Sequence, residues 1–97
     1  MPLTGILAEI AEERLAQDKK WGFPQPAFST PEGALAVLAE EFGEIAKEVV
    51  EMGAGVRNDE LATFKQHRGW LRKELIQTAA VAVAWIQQLE WENHHVR

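Results

Sequence analysis

Leu75-Ile76-Gln77-Thr78-Ala79-Ala80-Val81-Ala82-Val83-Ala84-Trp85-Ile86-Gln87-Gln88-Leu89 decides the fold. Wound as a helix, this stretch carries Leu75, Ile76, Ala79, Ala80, Val81, Val83, Ala84, Trp85, Ile86 and Leu89 nearly all the way round. A helix with no polar face must be covered on every side. Two other helices of one small chain can hardly do that, so the pattern predicts that a second copy completes the cover in a symmetric dimer. The alternative is a central helix in a self-contained bundle. The alanines permit close approach in either case.

Upstream, the same helix is expected to begin near Trp70 and to run to Glu92, leaving residues 93–97 as a frayed tail. Thr30-Pro31-Glu32 is a helix start, with Thr at the N-cap, Pro in the first turn and an acid beside it. That second helix is expected to reach Met52 and stop at Gly53, with Gly55 reinforcing the break. Residues 56–69 are ambiguous: Asn58 or Asp59 can cap a short helix through Gln66, with Gly69 as a hinge. A first helix is expected from about Thr4 to Lys20, because Ile6, Leu7, Ile10, Ala11, Arg14 and Leu15 keep helical spacing. Phe23-Pro24-Gln25-Pro26-Ala27-Phe28-Ser29 has two prolines and no period, and reads as a loop. Nothing reads as a strand or hairpin. The expected fold is all-α, in one domain over residues 1–97.

Composition narrows the function. The 97 residues are 46% apolar and 26% charged, a globular balance, and contain no cysteine. Disulfides, thiolate zinc sites and a cysteine nucleophile are therefore excluded. A net charge of −5 disfavours general binding to nucleic acid, which relies on phosphate neutralisation. The apolar run Ala79–Ile86 is far short of the roughly 20 residues that span a membrane. No basic residue precedes Arg14, and Glu9 interrupts the early apolar stretch, so no secretory signal is read. A cytoplasmic protein is the expectation.

Chemistry is concentrated on the second helix. At about 100° per residue, Leu35, Leu38, Phe42, Ile45, Ala46 and Val49 form the expected core face, and Glu40, Glu41, Glu44, Glu48 and Glu51 gather opposite. Only Lys47 is near enough to offset them. Like charges at i,i+4 destabilise a helix by a few tenths of a kcal/mol each, and mid-helix Gly43 costs about 1 kcal/mol against Ala. A solvated acidic face is the plain explanation of the glutamates. Gly43, in contrast, suggests close approach by another backbone or a ligand. Glu74 and Gln77 form an i,i+3 pair where the last helix turns apolar, and a carboxylate there is costly unless paired or bound to a cation. An ion pair with Arg68, Arg72 or Lys73 would satisfy it. Together with Glu41 and Glu44, it also suggests two facing helices that each present a clamp, a recurring way to hold metal. All-oxygen donors select hard cations such as Mg²⁺ or Mn²⁺.

Glu40-Glu41-Phe42-Gly43-Glu44, followed by Glu74-Leu75-Ile76-Gln77, resembles the EExxE and ExxD motifs of the MazG-like branch of the all-α nucleoside triphosphate pyrophosphohydrolases. Gln17-Asp18-Lys19-Lys20-Trp21-Gly22 and the stretch from Leu71 to Trp85 are similar to short members of that group, so the resemblance spans Arg14 to Leu89. It implies a four-helix-type bundle in a homodimer or homotetramer. It also implies Mg²⁺-dependent hydrolysis of (deoxy)nucleoside triphosphates to monophosphate and pyrophosphate, with Mn²⁺ as a possible substitute. By position, Glu41, Glu44, Glu74 and Gln77 would hold metal, and Glu40 would be a further ligand or orient the attacking water. Gln77 departs from the motif's Asp: an amide oxygen can ligate but brings no charge. That leaves a working enzyme, a site completed by Glu48 or Asp59, or a member that binds nucleotide without turnover. A helical dimer that acts only through protein partners is the remaining reading. Trp21 is a candidate to stack on a base, and Lys20 and Lys73, with Lys19, Arg68 and Arg72, are candidates for phosphate. His67 is expected at the surface.

Overall fold

The computed structural model describes residues 2–95. Helix α1 spans Leu3–Trp21, a single 3₁₀ turn spans Pro26–Phe28, α2 spans Pro31–Arg57 and α3 spans Leu61–His95; no strand occurs among the described residues. The all-α expectation holds. Helix α3 packs mainly along α2 and more lightly against α1.

The start of α2 follows its chemistry. The Thr30 hydroxyl accepts the Gly33 N–H at 3.0 Å, and Pro31 occupies the first turn, where its missing N–H costs nothing. A side chain on Gly33 would collide with the Ala27 carbonyl oxygen, so only glycine lets the 3₁₀ turn lie against α2. The turn is also held from α3, because the Gln25 N–H donates to the buried Gln88 Oε1 at 3.3 Å. Phe28 then drops into the core with Ala34, Val81 and Ala84, flanked by Val37, Leu38 and Trp85.

Several boundaries differ from expectation. Helix α2 passes through Gly53 and Gly55 and ends at Arg57. Its terminus is a Schellman motif: the Glu60 N–H donates to Gly55 O at 2.8 Å and the Asp59 N–H to Val56 O at 3.2 Å. Asp59 takes the left-handed conformation there, with φ 54°. Gly55 is a packing residue, since a Cβ would stand 3.0 Å from the Phe64 amide nitrogen. Residues 61–69 form no separate short helix and Gly69 is no hinge, because α3 is one continuous helix of 35 residues. One glycine costs about 1 kcal/mol, which tertiary contact readily overrides. The expected frayed end is helical through His95, whose Nδ1 lies 2.7 Å from Trp91 O and whose ring stacks on Trp91. Val96 and Arg97 lie outside the described residues.

The largest correction concerns the faces of α2. The side turned to α3 carries Ala34, Val37, Leu38, Glu41, Ile45 and Glu48, whereas Leu35, Phe42, Ala46 and Val49 are exposed. In α3 only Ala80, Val81, Ala84 and Gln88 are buried, and Leu75, Val83, Ile86 and Leu89 stay exposed. The radius of gyration is 16.0 Å, against about 12–13 Å for a compact chain of this length. The monomer is a slab of three helices with uncovered apolar sides.

Candidate functional site

Glu41 and Glu74 reach across the groove between α2 and α3. Both are half-buried, and among the described residues Glu41 Oε2 is a buried side-chain oxygen with no hydrogen-bond partner. Burial raises the Glu41 carboxyl above its ordinary range, and the charge of Glu74 and a hydrogen bond to it push the same way. The charges of Glu44 and then Glu40 add smaller increments. The cause is clear: two carboxylates that meet can hydrogen bond only if one holds a proton, and with both ionised Glu41 has no donor. Either a proton or a cation relieves that state.

Two clefts open beside Glu41. The larger, of about 520 Å³, is bounded by Trp21, Gln25, Phe28, Val37, Glu40 and Glu41, among others. The smaller, of about 240 Å³, is lined by Glu13, Ala16, Gln17, Lys20, Trp21, Glu41 and Gln77. Trp21 is exposed and the Lys20 ammonium sits 4.9 Å from its ring centroid, a cation–π contact at the mouth of the site. A third depression of about 570 Å³ is lined by Lys65, Arg68, Arg72 and Leu75, among others, and by none of these acids. Arg72 there donates to Glu9 Oε2 at 2.8 Å and to Oε1 at 3.1 Å.

Of the residues singled out in the sequence, Glu40, Glu41, Gln77, Lys20 and Trp21 therefore line one neighbourhood, and Glu74 touches it through Glu41. Glu44 is exposed and acts on Glu41 through its charge alone. Lys73 is exposed and lines neither cleft. Glu48 and Asp59 stand apart as well. Glu48 is buried at 8% exposure with its Oε2 2.6 Å from His67 Nδ1, so His67 is an inward partner and no surface residue. The Trp70 ring meets His67 edge-on, with centroids 4.8 Å apart. Asp59 lines the turn between α2 and α3.

Sequence reasoning missed Glu13, Gln17 and Gln25 as cleft residues. Glu13, Gln17 and Trp21 follow one another at i,i+4, which places them on one stripe of α1. Gln17 is held by the buried Arg14, whose Nη1 donates to Gln17 Oε1 at 3.3 Å, Nη2 to Asp18 Oδ1 at 2.7 Å and Nε to Gln87 Oε1 at 2.8 Å. A buried guanidinium satisfied on three sides ties α1 to α3 just behind the cleft.

The donor set suits a hard cation. All the oxygens near Glu41 are carboxylate or amide, which fits Mg²⁺ or Mn²⁺ and not softer metals. No three acid or histidine side chains form a closed cage among the described residues. A site with two meeting carboxylates matches the habit of Mg²⁺, which keeps several waters and takes one or two protein carboxylates plus substrate phosphates. Comparison with known protein families, with characterised proteins and with solved structures returns no match.

Proposed function

We propose that this chain is a Mg²⁺-dependent nucleoside triphosphate pyrophosphohydrolase of the MazG-like type, a bundle that works as a homodimer or homotetramer. The observation that carries the reading is Glu41, half-buried with one orphaned oxygen, meeting Glu74 from the facing helix at the edge of an aromatic-lined cleft. Glu41 and Glu74 would hold the cation, with Glu44 adding negative potential and Gln77 a neutral oxygen. When bound, Mg²⁺ supplies charge neutralisation on the phosphate oxygens and acidifies a bound water.

The chain's own groups do the rest. Glu40 accepts the proton of the attacking water as its oxygen bonds to phosphorus, and the bond to the pyrophosphate oxygen breaks. Lys20 sits at the mouth, where its charge meets the triphosphate, and Trp21 offers a π-face to the base. Mn²⁺ should replace Mg²⁺, having the same preference for oxygen.

Glu74→Gln tests this directly. Turnover should fall by about 100-fold or more, a loss of roughly 2.7 kcal/mol of barrier lowering, with helix content by circular dichroism unchanged. Full activity in that variant would end the assignment. Gln77 favours a second reading, because a neutral amide stands beside Glu41 in the smaller cleft. On that reading the protein binds Mg²⁺-nucleotide without turnover, which calorimetry would register as Mg²⁺-dependent binding with no pyrophosphate released.

A further inference from the structure

We infer that the outward face of α2 is the surface on which two copies of this chain associate, as an antiparallel helix pair. This builds on the reading above only for the expectation of an oligomer, and mass is read independently of turnover. The face is a heptad seam: Leu35, Ala39, Phe42, Ala46, Val49, Gly53 and Val56 follow spacings of four and three without a break. It runs about 32 Å along the helix at 1.5 Å per residue. The bulky members are bare, with Leu35 at 58%, Phe42 at 68%, Val49 at 52% and Val56 at 65% exposure, and Val50 beside them at 64%.

Charge and shape name the occupant. Between Leu35 and Val56 no charged residue lies on the seam, and its solvent-side flank there is Ala36, Gly43 and Val50, so charges stand only at its two ends, Glu32 and Arg57. Glu40, Glu44, Lys47 and Glu51 sit off it. In an antiparallel pair each seam position faces the other kind across the axis. Leu35 then meets Gly53 of the second copy, Ala39 meets Val49, and Phe42 meets Ala46, so these three bulky side chains each land on a small one, while Val56 at the end of the seam lies against the stem of Glu32. A parallel pair would stack Phe42 on Phe42 and Ala46 on Ala46, which leaves bulges and voids along the same seam. Antiparallel pairing also brings Arg57, at the C-terminal end of α2, beside Glu32 in the first turn of the second copy. Parallel pairing would set like charges together at both ends. Gly43 has no atom within 4 Å of where its Cβ would stand, and it lies one residue from the centre of this pairing. Its cost in mid-helix makes sense where two backbones draw close.

The area is of the right class. Phe42 alone leaves on the order of 100–170 Å² bare, since an aromatic side chain carries 150–250 Å². With the four aliphatics, the patch exceeds the few hundred Å² that a monomer ordinarily exposes. Two such patches face to face approach the roughly 1,000 Å² of total buried surface that a specific interface needs.

Light scattering coupled to size exclusion should give twice the chain mass for the wild-type protein at micromolar concentration. Ala46→Glu should weaken the dimer at least tenfold and yield the monomer mass with helical circular dichroism retained. Because the chain has no cysteine, Ala39→Cys mixed with Val49→Cys provides a second reading that does not depend on a disruptive change. Oxidation should join the two kinds of chain to each other. A monomeric wild type, an Ala46→Glu variant that stays dimeric, or disulfides that form only between two Ala39→Cys chains would each overturn the inference.

Discussion

The two sides of α2 have the same helical period and opposite fates. Inward, Ala34 and Val37 press on Phe28 and Val81 while Glu41 and Glu48 are carried into the groove against α3. Outward, Leu35, Phe42 and Val49 stand in solvent with no charge among them. The inward side thus spends its burial on two carboxylates, one held by His67 and one left with an unsatisfied oxygen. The outward side leaves more than half of the surface of these apolar residues uncovered by the chain. A helix built only for a monomer's stability would be arranged the other way round, and that contrast is what motivates the proposals of a site on one face and an interface on the other.

The contrast is broken most sharply by the same substitution on each face. Ala34→Asp puts a charge where exposure is 0%, and should cost about 3–5 kcal/mol or abolish folding. Ala39→Asp, five residues on and exposed, should keep the helical signal in chemical denaturation while the native mass drops to that of one chain. Equal destabilisation of the two would mean that the faces are not distinct. Next in size is His67→Ala, which strands the buried Glu48 and should cost about 1–3 kcal/mol by urea denaturation.

A smaller effect has the opposite sign. Because the Glu41 carboxyl is raised in the folded chain, the folded state holds its proton to higher pH than the unfolded state does. Metal-free stability should therefore fall as pH rises from the ordinary carboxylate range through the folded value. Glu41→Gln should remove that slope and stabilise the metal-free protein at neutral pH, by no more than about 1 kcal/mol because the groove is partly open to water. The gain should vanish near pH 4 in a melting series. Mg²⁺ should raise the wild-type melting temperature more than that of Glu41→Gln. Smallest of all, Glu9→Gln removes a surface partner of Arg72, and the melting temperature should stay within about a degree.

How much of this was legible beforehand depends on which physics each residue expresses. The Thr30-Pro31 start and the absence of strands are local chemistry, and both read directly from the chain. Glu41 and Glu74 stood out through their clamp spacing and the motif resemblance, but their meeting depends on which side α2 turns to α3. The facing of α2 was not legible. Periodicity reports how apolar a stripe is, and the most apolar stripe of α2 points to a core that the fold does not use, since Leu35, Phe42 and Val49 are exposed. A helix with two apolar sides gives no phase that says which neighbour covers which. Gly53, Gly55 and Gly69 misled for a related reason, since their cost is small beside the packing that carries α2 to Arg57 and keeps α3 whole. The expectation of a second copy came from the apolar α3; the structure instead leaves its longest charge-free seam on α2.

The most direct test of the central claim, that Glu41 and Glu74 with their cleft form a hydrolytic site, is product release. The protein is incubated with a panel of ribo- and deoxynucleoside triphosphates plus Mg²⁺, and pyrophosphate and monophosphate are both quantified. The account predicts the two products in equal amounts from at least one triphosphate, abolished by chelation and restored by Mn²⁺. Folded protein that releases neither product from any triphosphate, with either metal, would contradict it.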